Sequence, residues 1–105
     1  MAAQGREGRR LNATLVDLTD LLIGYGVDEW GYRLRGDRSA FERGHEDAFP
    51  RLRASLIGPG SLEEVTIDPA AGHDVAPGDV EKVNARMQDL RATCAELLAT
   101  LSPTA

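Results

Sequence analysis

The chain has 105 residues, of which 42% are hydrophobic and only 5% aromatic, and its formal net charge is −5. This length is typical of one domain, and the shortage of aromatic side chains means that leucine, valine, isoleucine and alanine must build its core. The acidic balance argues against a nucleic-acid-binding protein, because phosphate contacts require a basic surface. Another protein with a basic surface is the better electrostatic match.

The sequence lacks the signals of a secreted or membrane protein. Cys94 is the only cysteine, so no disulfide can form within the chain, as is typical of a reducing compartment. No apolar run approaches the ~18 residues of a membrane-spanning helix, and the opening MAAQGREGRR lacks the apolar core of a secretory signal. We therefore predict a cytoplasmic protein with one helical domain at 9–102, between a disordered lead-in at 1–8 and a tail at 103–105.

The first predicted helix begins at Arg9 and ends near Gly24 and Gly26. Its apolar residues recur every three or four positions, which places one stripe of side chains toward a core. The residues of this stripe are Leu11, Leu15, Leu18, Leu22 and Tyr25.

The middle of the chain predicts shorter helices. Asp28 is predicted to cap a helix that carries Trp30, and the pair Gly36-Asp37 is predicted to break that helix. Two further helical pieces are expected, roughly at 38–48 and 50–57. The division falls at Pro50, because proline lacks the backbone donor that a helix interior needs but suits a first turn.

Residues 56–67 read LIGPGSLEEVTI and contain the most distinctive loop of the chain. A phosphate-binding loop would need a lysine, whereas this loop is followed by Glu63 and Glu64, whose charges would repel a phosphate. The spacing from Ser61 to Glu64 is that of a capping box, so we predict a structural turn. The segment EVTI that follows favours a strand or an extended conformation. It would pair with a dimer counterpart, pair with DVA at 74–76, or stay irregular.

The last predicted helix carries the most regular apolar stripe. It begins after Asp79, a natural N-cap, and ends before Pro103. The stripe consists of Val80, Val83, Met87, Leu90, Cys94, Leu97 and Leu101. It would form part of the core, the seam of a homodimer, or both. The whole pattern predicts a mainly α fold, a small bundle of four to five helices with at most one short strand or hairpin.

The sequence contains few candidates for chemistry. Glu42 and His45 have the Glu-x-x-His spacing of helical di-metal sites, and Glu46 adjoins them, but only one copy of the pattern is present. Cys94 lies within an apolar stripe, where a thiol behaves as a small inert hydrophobe. We predict no catalytic residues, no bound metal and no cofactor.

The segment VDEWGYRLRGD holds two of the chain's five aromatic residues, Trp30 and Tyr32. An exposed Trp beside Tyr and Arg is typical of a binding hot spot, and the alternative is that Trp30 anchors its helix on the core. Acidic residues that flank Trp30 would cover a basic partner. The predicted binding residues are Asp28, Glu29, Trp30, Tyr32, Ser61, Glu63 and Glu64.

The order of these features resembles a small uncharacterised bacterial helical family. Its members show a Trp in the second helix, a Gly-Asp break and a loop of the type Gly-Met-Gly-Ser-Leu/Phe-Asn-Asp-Leu-Val-Ile. The matching residues are Trp30, Gly36, Asp37, Gly58, Gly60, Ser61, Leu62, Val65 and Ile67. The chain departs from the pattern with Pro59 for Met, with two glutamates for Asn-Asp, and with extra residues that include Pro50.

Some members of that family resemble immunity proteins of bacterial toxin systems, which are small, acidic, single-domain inhibitors. Small size, negative charge and the lack of a credible catalytic set favour a non-enzymatic protein-binding module. The resemblance adds an immunity-type inhibitor of a toxin as the most specific form of that prediction. Two alternatives stay open. One is a homodimeric helical scaffold or regulatory subunit that associates through 80–101, and the other is a metal-binding enzyme that uses Glu42, His45 and Glu46.

Overall fold

The computed structural model describes residues 5–101 and confirms a mainly α bundle. Its four α-helices are α1 (Arg6–Gly24), α2 (Asp28–Glu42), α3 (Ala48–Leu56) and α4 (Val80–Leu101). Three short 3₁₀ helices lie between α3 and α4, at Leu62–Glu64, Pro69–Ala71 and Pro77–Asp79. Residues 5–101 contain no β-strand.

Helices α1 and α2 form a tight hairpin. Gly26 occupies the connecting turn with a φ of 77°, a left-handed conformation that glycine adopts without steric cost. One turn into α2, Gly31 lies so close to α1 that a Cβ at this position would come within 2.4 Å of Ile23 Cγ1. The missing side chain therefore permits the close approach of the two helices.

Helix α4 packs along α1, and α3 packs against both α2 and α4. The amide of Asp74 donates to the carbonyl of Tyr25 at 2.7 Å, which brings the chain back to the end of α1 before α4 begins. The interior between the helices is built mainly from leucine. Its fully buried large side chains include Leu11, Leu15, Leu18, Leu22, Leu34, Leu52, Leu56, Leu62, Ile67, Met87 and Leu98.

The apolar stripe of α4 faces this interior. Val83, Met87, Cys94 and Leu97 are buried among the other helices, whereas Val80, Leu90 and Leu101 are half-buried. Most of the stripe thus serves the core of the chain itself. A homodimer through 80–101 stays a prediction. Within residues 5–101, none of the helices combines the length and the apolar character that crossing a bilayer demands.

Several predicted boundaries were wrong. Helix α2 does not break at Gly36-Asp37 but continues to Glu42, so the piece expected at 38–48 is the second half of α2 and a turn. The piece predicted at roughly 50–57 is confirmed as α3, which begins two residues earlier at Ala48 and carries Pro50 in its first turn, where the missing amide costs little. Helix α1 begins at Arg6, so residues 6–8 of the expected lead-in are helical. Residues 1–4 and the expected tail at 103–105 lie outside the described residues.

Candidate functional site

The outward side of α2 presents two aromatic rings, each stacked with an arginine. The guanidinium carbon of Arg33 lies 4.6 Å from the ring centroid of Trp30, and that of Arg35 lies 5.3 Å from the centroid of Tyr32. Tyr32 is 56% exposed, more than any other large hydrophobic side chain of residues 5–101. Trp30 is half-buried and packs against the core. Trp30 thus anchors α2 on the core and also supports Arg33, and its role in a binding hot spot stays a prediction.

Asp28 and Glu29 lie in the first turn of α2 and are exposed. The prediction of Asp28 as the helix cap was wrong, because the N-cap is Val27 and no side chain caps this end. Negative charges at this end of a helix interact favourably with its unpaired amides and its dipole. They directly precede Trp30 and stand one turn before Tyr32 and Arg33 on the same helix. We call Asp28, Glu29, Trp30, Tyr32, Arg33 and Arg35 together the aromatic–arginine face.

An open cavity of about 530 Å³ lies beside this face, between α2 and α3. Arg33 forms part of its wall, and the buried Asp37 forms another part. The remaining lining residues are Asp47, Pro50, Arg51 and Ala54. The cavity therefore joins the aromatic–arginine face to the junction of the two helices.

Asp37 is the polar centre of that junction. Its side chain is only 5% exposed, its Oδ2 accepts from the Ser55 hydroxyl at 2.7 Å, and its Oδ1 accepts from Arg51 Nε at 3.2 Å. Both carboxylate oxygens are thus occupied within the protein. Asp37 holds α2 to α3, although the sequence had marked it as a helix breaker.

The Gly-Pro-Gly-Ser loop is closed by the chain's own carboxylates. Glu63 Oε2 accepts from the amide of Gly58 at 2.8 Å, and Glu64 Oε1 accepts from the amide of Gly60 at 2.9 Å. The amides that a phosphate would use are therefore already bonded. The Ser61 hydroxyl donates to the Gly58 carbonyl at 2.6 Å and accepts from the Glu63 amide at 3.1 Å. This cap differs from the predicted box because the element that follows is a 3₁₀ helix.

A row of polar side chains on α4 holds the segment that contains this loop. Asn84 both accepts from the amide of Ile67 at 2.7 Å and donates to its carbonyl at 2.9 Å. Gln88 donates to the Leu62 carbonyl, and Arg91 donates to the Leu56 carbonyl, each at 2.9 Å. Asn84 thus binds both backbone groups of Ile67. Of the EVTI segment, Glu64 ends a 3₁₀ helix and residues 65–67 belong to no strand.

The predicted binding residues therefore fall into two groups. Asp28, Glu29, Trp30 and Tyr32 belong to the aromatic–arginine face of α2. Ser61, Glu63 and Glu64 instead order the loop beside α4, where Glu63 also lies 3.5 Å from Arg91 Nη1. The sequence analysis noted arginine beside Trp30 and Tyr32 but did not name Arg33 and Arg35 as binding residues, although their spacing of three from the two rings on a helix was the available signal.

The Glu-x-x-His pattern does not form a helical metal site. Helix α2 ends at Glu42, which pairs with Arg38, so His45 lies in the following turn. The Nδ1 of His45 lies 3.1 Å from Asp47 Oδ1, and both side chains are exposed, as is Glu46. Across residues 5–101, no group of three or more His, Cys, Asp or Glu side chains is arranged to hold a metal ion.

The remaining reactive side chains serve the fold. Burial, with a smaller contribution from the charge of Asp17, raises the pKa of the Cys94 thiol to about 12, which keeps the thiol protonated and unreactive at neutral pH. The Nδ1 of His73 accepts from the amide of Asp68 at 3.0 Å and so closes the turn around Pro69–Ala71.

Comparison of the chain with known protein families, with curated proteins and with solved structures finds no match. The resemblance described above therefore stays a prediction, and the geometry of the site carries the functional proposal.

Proposed function

We propose that the protein is a non-enzymatic module that binds another protein through the aromatic–arginine face. The observation that carries this proposal is Tyr32, a large aromatic side chain that is 56% exposed, with Arg35 stacked on its ring. Tyrosine, tryptophan and arginine are the residue types that most often dominate the energetics of protein interfaces.

The stacked geometry itself favours binding. A guanidinium group held over an aromatic ring has lost part of its rotamer freedom before a partner arrives, which lowers the entropy cost of association. Trp30 also fixes α2 on the core, so the face is presented by a rigid element. By contrast, the polar groups of the Gly-Pro-Gly-Ser loop and of the Asp37 junction are engaged within the chain.

The most specific form of the proposal is an immunity-type inhibitor of a bacterial toxin, which rests on the resemblance of the sequence. Such an inhibitor acts by covering a surface of the toxin, and it requires no catalytic residue of its own. Its partner is then expected to be encoded next to it.

Co-expression with the product of the adjacent gene, followed by affinity purification and calorimetry, tests the proposal. A specific complex is expected, and Tyr32→Ala should weaken it by about 30-fold, the loss typical of a hot-spot residue. Arg86→Ala, which changes an exposed residue of α4, is the control and should leave the affinity within about twofold. Retention of full affinity by Tyr32→Ala would exclude this face as the interface. If the neighbouring product is no toxin and is not retained, the immunity form fails.

A further inference from the structure

We propose that the aromatic–arginine face also receives a second copy of this chain, in a twofold pair whose two α2 helices pack antiparallel about Tyr32. This inference goes beyond the proposed function, because a second copy can occupy the face whether or not another protein uses it. Where both bind, they compete for the same side chains.

The exposed side of α2 is arranged symmetrically about Tyr32. Residues three and four positions apart lie on the same side of a helix. Glu29 lies three residues before Tyr32 and Arg35 lies three residues after it, while Asp28 and Gly36 lie four residues before and after. The four residues that have side chains are exposed, and Gly36 is half-buried. This side of α2 therefore carries acidic groups at one end, a basic group at the other end, and an aromatic ring between them.

The charges at the two ends are not paired within the chain. Across residues 5–101, Asp28, Glu29 and Arg35 form no ion pair, although Arg38 on the same helix does pair with a carboxylate. Arg35 is stacked on Tyr32 instead. Stacking uses the flat side of a guanidinium and leaves the N–H donors at its edge able to meet a carboxylate. Each end of the face therefore offers the charge that the other end lacks.

A twofold axis at Tyr32 brings these complementary ends together. In a twofold interface, the contact between one pair of positions is repeated with the two copies exchanged. Positions at equal distances before and after Tyr32 face each other in an antiparallel helix pair. Glu29 of each copy therefore faces Arg35 of the other, and Asp28 faces Gly36, which has no side chain to hold the copies apart. The two exposed tyrosine rings meet at the axis, where contact removes apolar surface from water.

The mixed charge of the face favours a second copy over a partner of uniform charge. An acidic segment would pair with Arg35 but be repelled by Glu29, and a basic segment would meet the reverse situation. The net charge of the chain opposes this pairing only weakly. Helix α2 carries four carboxylates against three arginines, whereas residues 62–101 contain eight carboxylates against three basic residues. Repulsion between those distant parts is screened over about 10 Å at 0.1 M salt.

The size of the face predicts a weak pair. Residues 28–36 span about 12 Å of helix, since each residue adds about 1.5 Å. Such a contact is smaller than the roughly 800 Å² per partner of a standard interface. We therefore expect a dissociation constant on the order of 100 μM, and hence a monomer that pairs only when it is concentrated.

Sedimentation equilibrium of the full chain between about 10 μM and 1 mM, a range that brackets this constant, tests the inference. A monomer–dimer equilibrium is expected. Glu29→Arg and Arg35→Glu should each weaken it by about tenfold, because each places two like-charge pairs across the axis. The double variant Glu29→Arg/Arg35→Glu should restore association to within about threefold, since it exchanges the charges and keeps them complementary. An equimolar mixture of the two single variants should associate as well, because the mixed pair has opposite charges at both contacts.

Two control variants make the same changes of charge on α4. Glu81→Arg and Arg86→Glu alter exposed positions there and should leave the dissociation constant within about twofold of the original value. Association of the mixed single variants also separates a lost contact from a lost fold, because misfolded chains would not regain binding when they are combined.

A chain that stays monomeric up to 1 mM would overturn the inference, as would an equal loss in the α4 variants or no recovery in the double variant and the mixture. These outcomes are separable from failure of the proposed function. If the chain stays monomeric while Tyr32→Ala weakens binding of another protein, only the second copy is wrong. If the charge variants behave as expected while Tyr32→Ala leaves the other protein's binding unchanged, the face serves self-association and the proposed function fails.

Discussion

Ser55 and Asp37 join α3 to α2 through a buried hydrogen bond, in which the serine hydroxyl donates to Oδ2 of the carboxylate at 2.7 Å. The two residues are 18 positions apart in the chain. A buried charge is costly unless its oxygens are paired, so the bond is needed once Asp37 is enclosed. The same junction places α3 beside the part of α2 that carries Arg33, and the packing of the core and the candidate binding face are therefore linked.

Replacement of Asp37 tests the importance of this junction for stability. Asp37→Ala leaves the buried hydroxyl of Ser55 without its acceptor and removes the partner of Arg51, so we expect a loss of about 2–3 kcal/mol in the free energy of unfolding. Urea denaturation measures this loss. Asp47→Ala is the control, because Asp47 is exposed and should contribute about 0.5 kcal/mol or less. Equal effects of the two substitutions would contradict the assigned role of Asp37.

Asn84 provides a second test, at the contact between α4 and the extended segment. Its amide makes two hydrogen bonds to Ile67 and donates to the Val80 carbonyl at 2.8 Å. Asn84→Ala should cost about 2–3 kcal/mol and accelerate hydrogen exchange at the Ile67 amide. Asn84→Asp should also destabilise, since a carboxylate retains the acceptor but cannot donate to the two carbonyls. Unchanged exchange at Ile67 in Asn84→Ala would show that the segment is held by other contacts.

Two glycines of the α1–α2 hairpin should respond in opposite ways to the same substitution. A Cβ at Gly31 would lie 2.4 Å from Ile23 Cγ1, whereas one at Gly24 would meet nothing within 4 Å. Gly31→Ala should therefore destabilise by about 1–3 kcal/mol despite the higher helix propensity of alanine, and Gly24→Ala should be neutral or stabilising. Thermal denaturation distinguishes them. Ile23→Ala should relieve part of the Gly31→Ala effect in the double variant, and strict additivity would argue against the close contact.

The buried thiol of Cys94 should make the stability of the fold depend on pH in the alkaline range. Its thiol has a pKa of about 12 when folded, against an ordinary value of 9.0. Below pH 9 both states keep the proton, so the thiol has no effect on the pH dependence there. Above pH 9 the unfolded state releases the proton and the folded state retains it. Stability should therefore fall by up to about 1.4 kcal/mol per pH unit until about pH 12.

The variant Cys94→Ala isolates this effect from the titration of other groups. The free energies of unfolding of the two proteins, measured between pH 8 and 11, should converge as pH rises, because the unmodified protein loses stability faster than the variant. If the two free energies of unfolding instead changed in parallel with pH, the thiol would be less shielded from solvent than its position indicates. A thiol reagent at pH 8 should also react with the native protein only as fast as the protein opens.

The sequence by itself determined the class of the fold and its two longest helices. Apolar residues spaced by three and four along 11–25 and 80–101 form a stripe in any helix. The pattern is therefore local and can be recognised without knowing which other parts of the chain the helix contacts. The same holds for the Gly-Pro-Gly-Ser loop, where the missing lysine and the two following glutamates already excluded a phosphate site. Cys94 was correctly expected to be inert, because its position within an apolar stripe predicted burial.

Only the tertiary structure decided the features that depend on residues far apart in the chain. Gly36 and Asp37 lower helix propensity by about 1 kcal/mol or less each, and α2 continues through them because Arg51 and Ser55 bind the carboxylate from α3. Likewise, Asn84 on α4 binds both backbone groups of Ile67, in the segment whose local pattern favours a strand. In both places, one long-range polar contact outweighs a weak local preference, and no local pattern reveals which distant residue will make that contact.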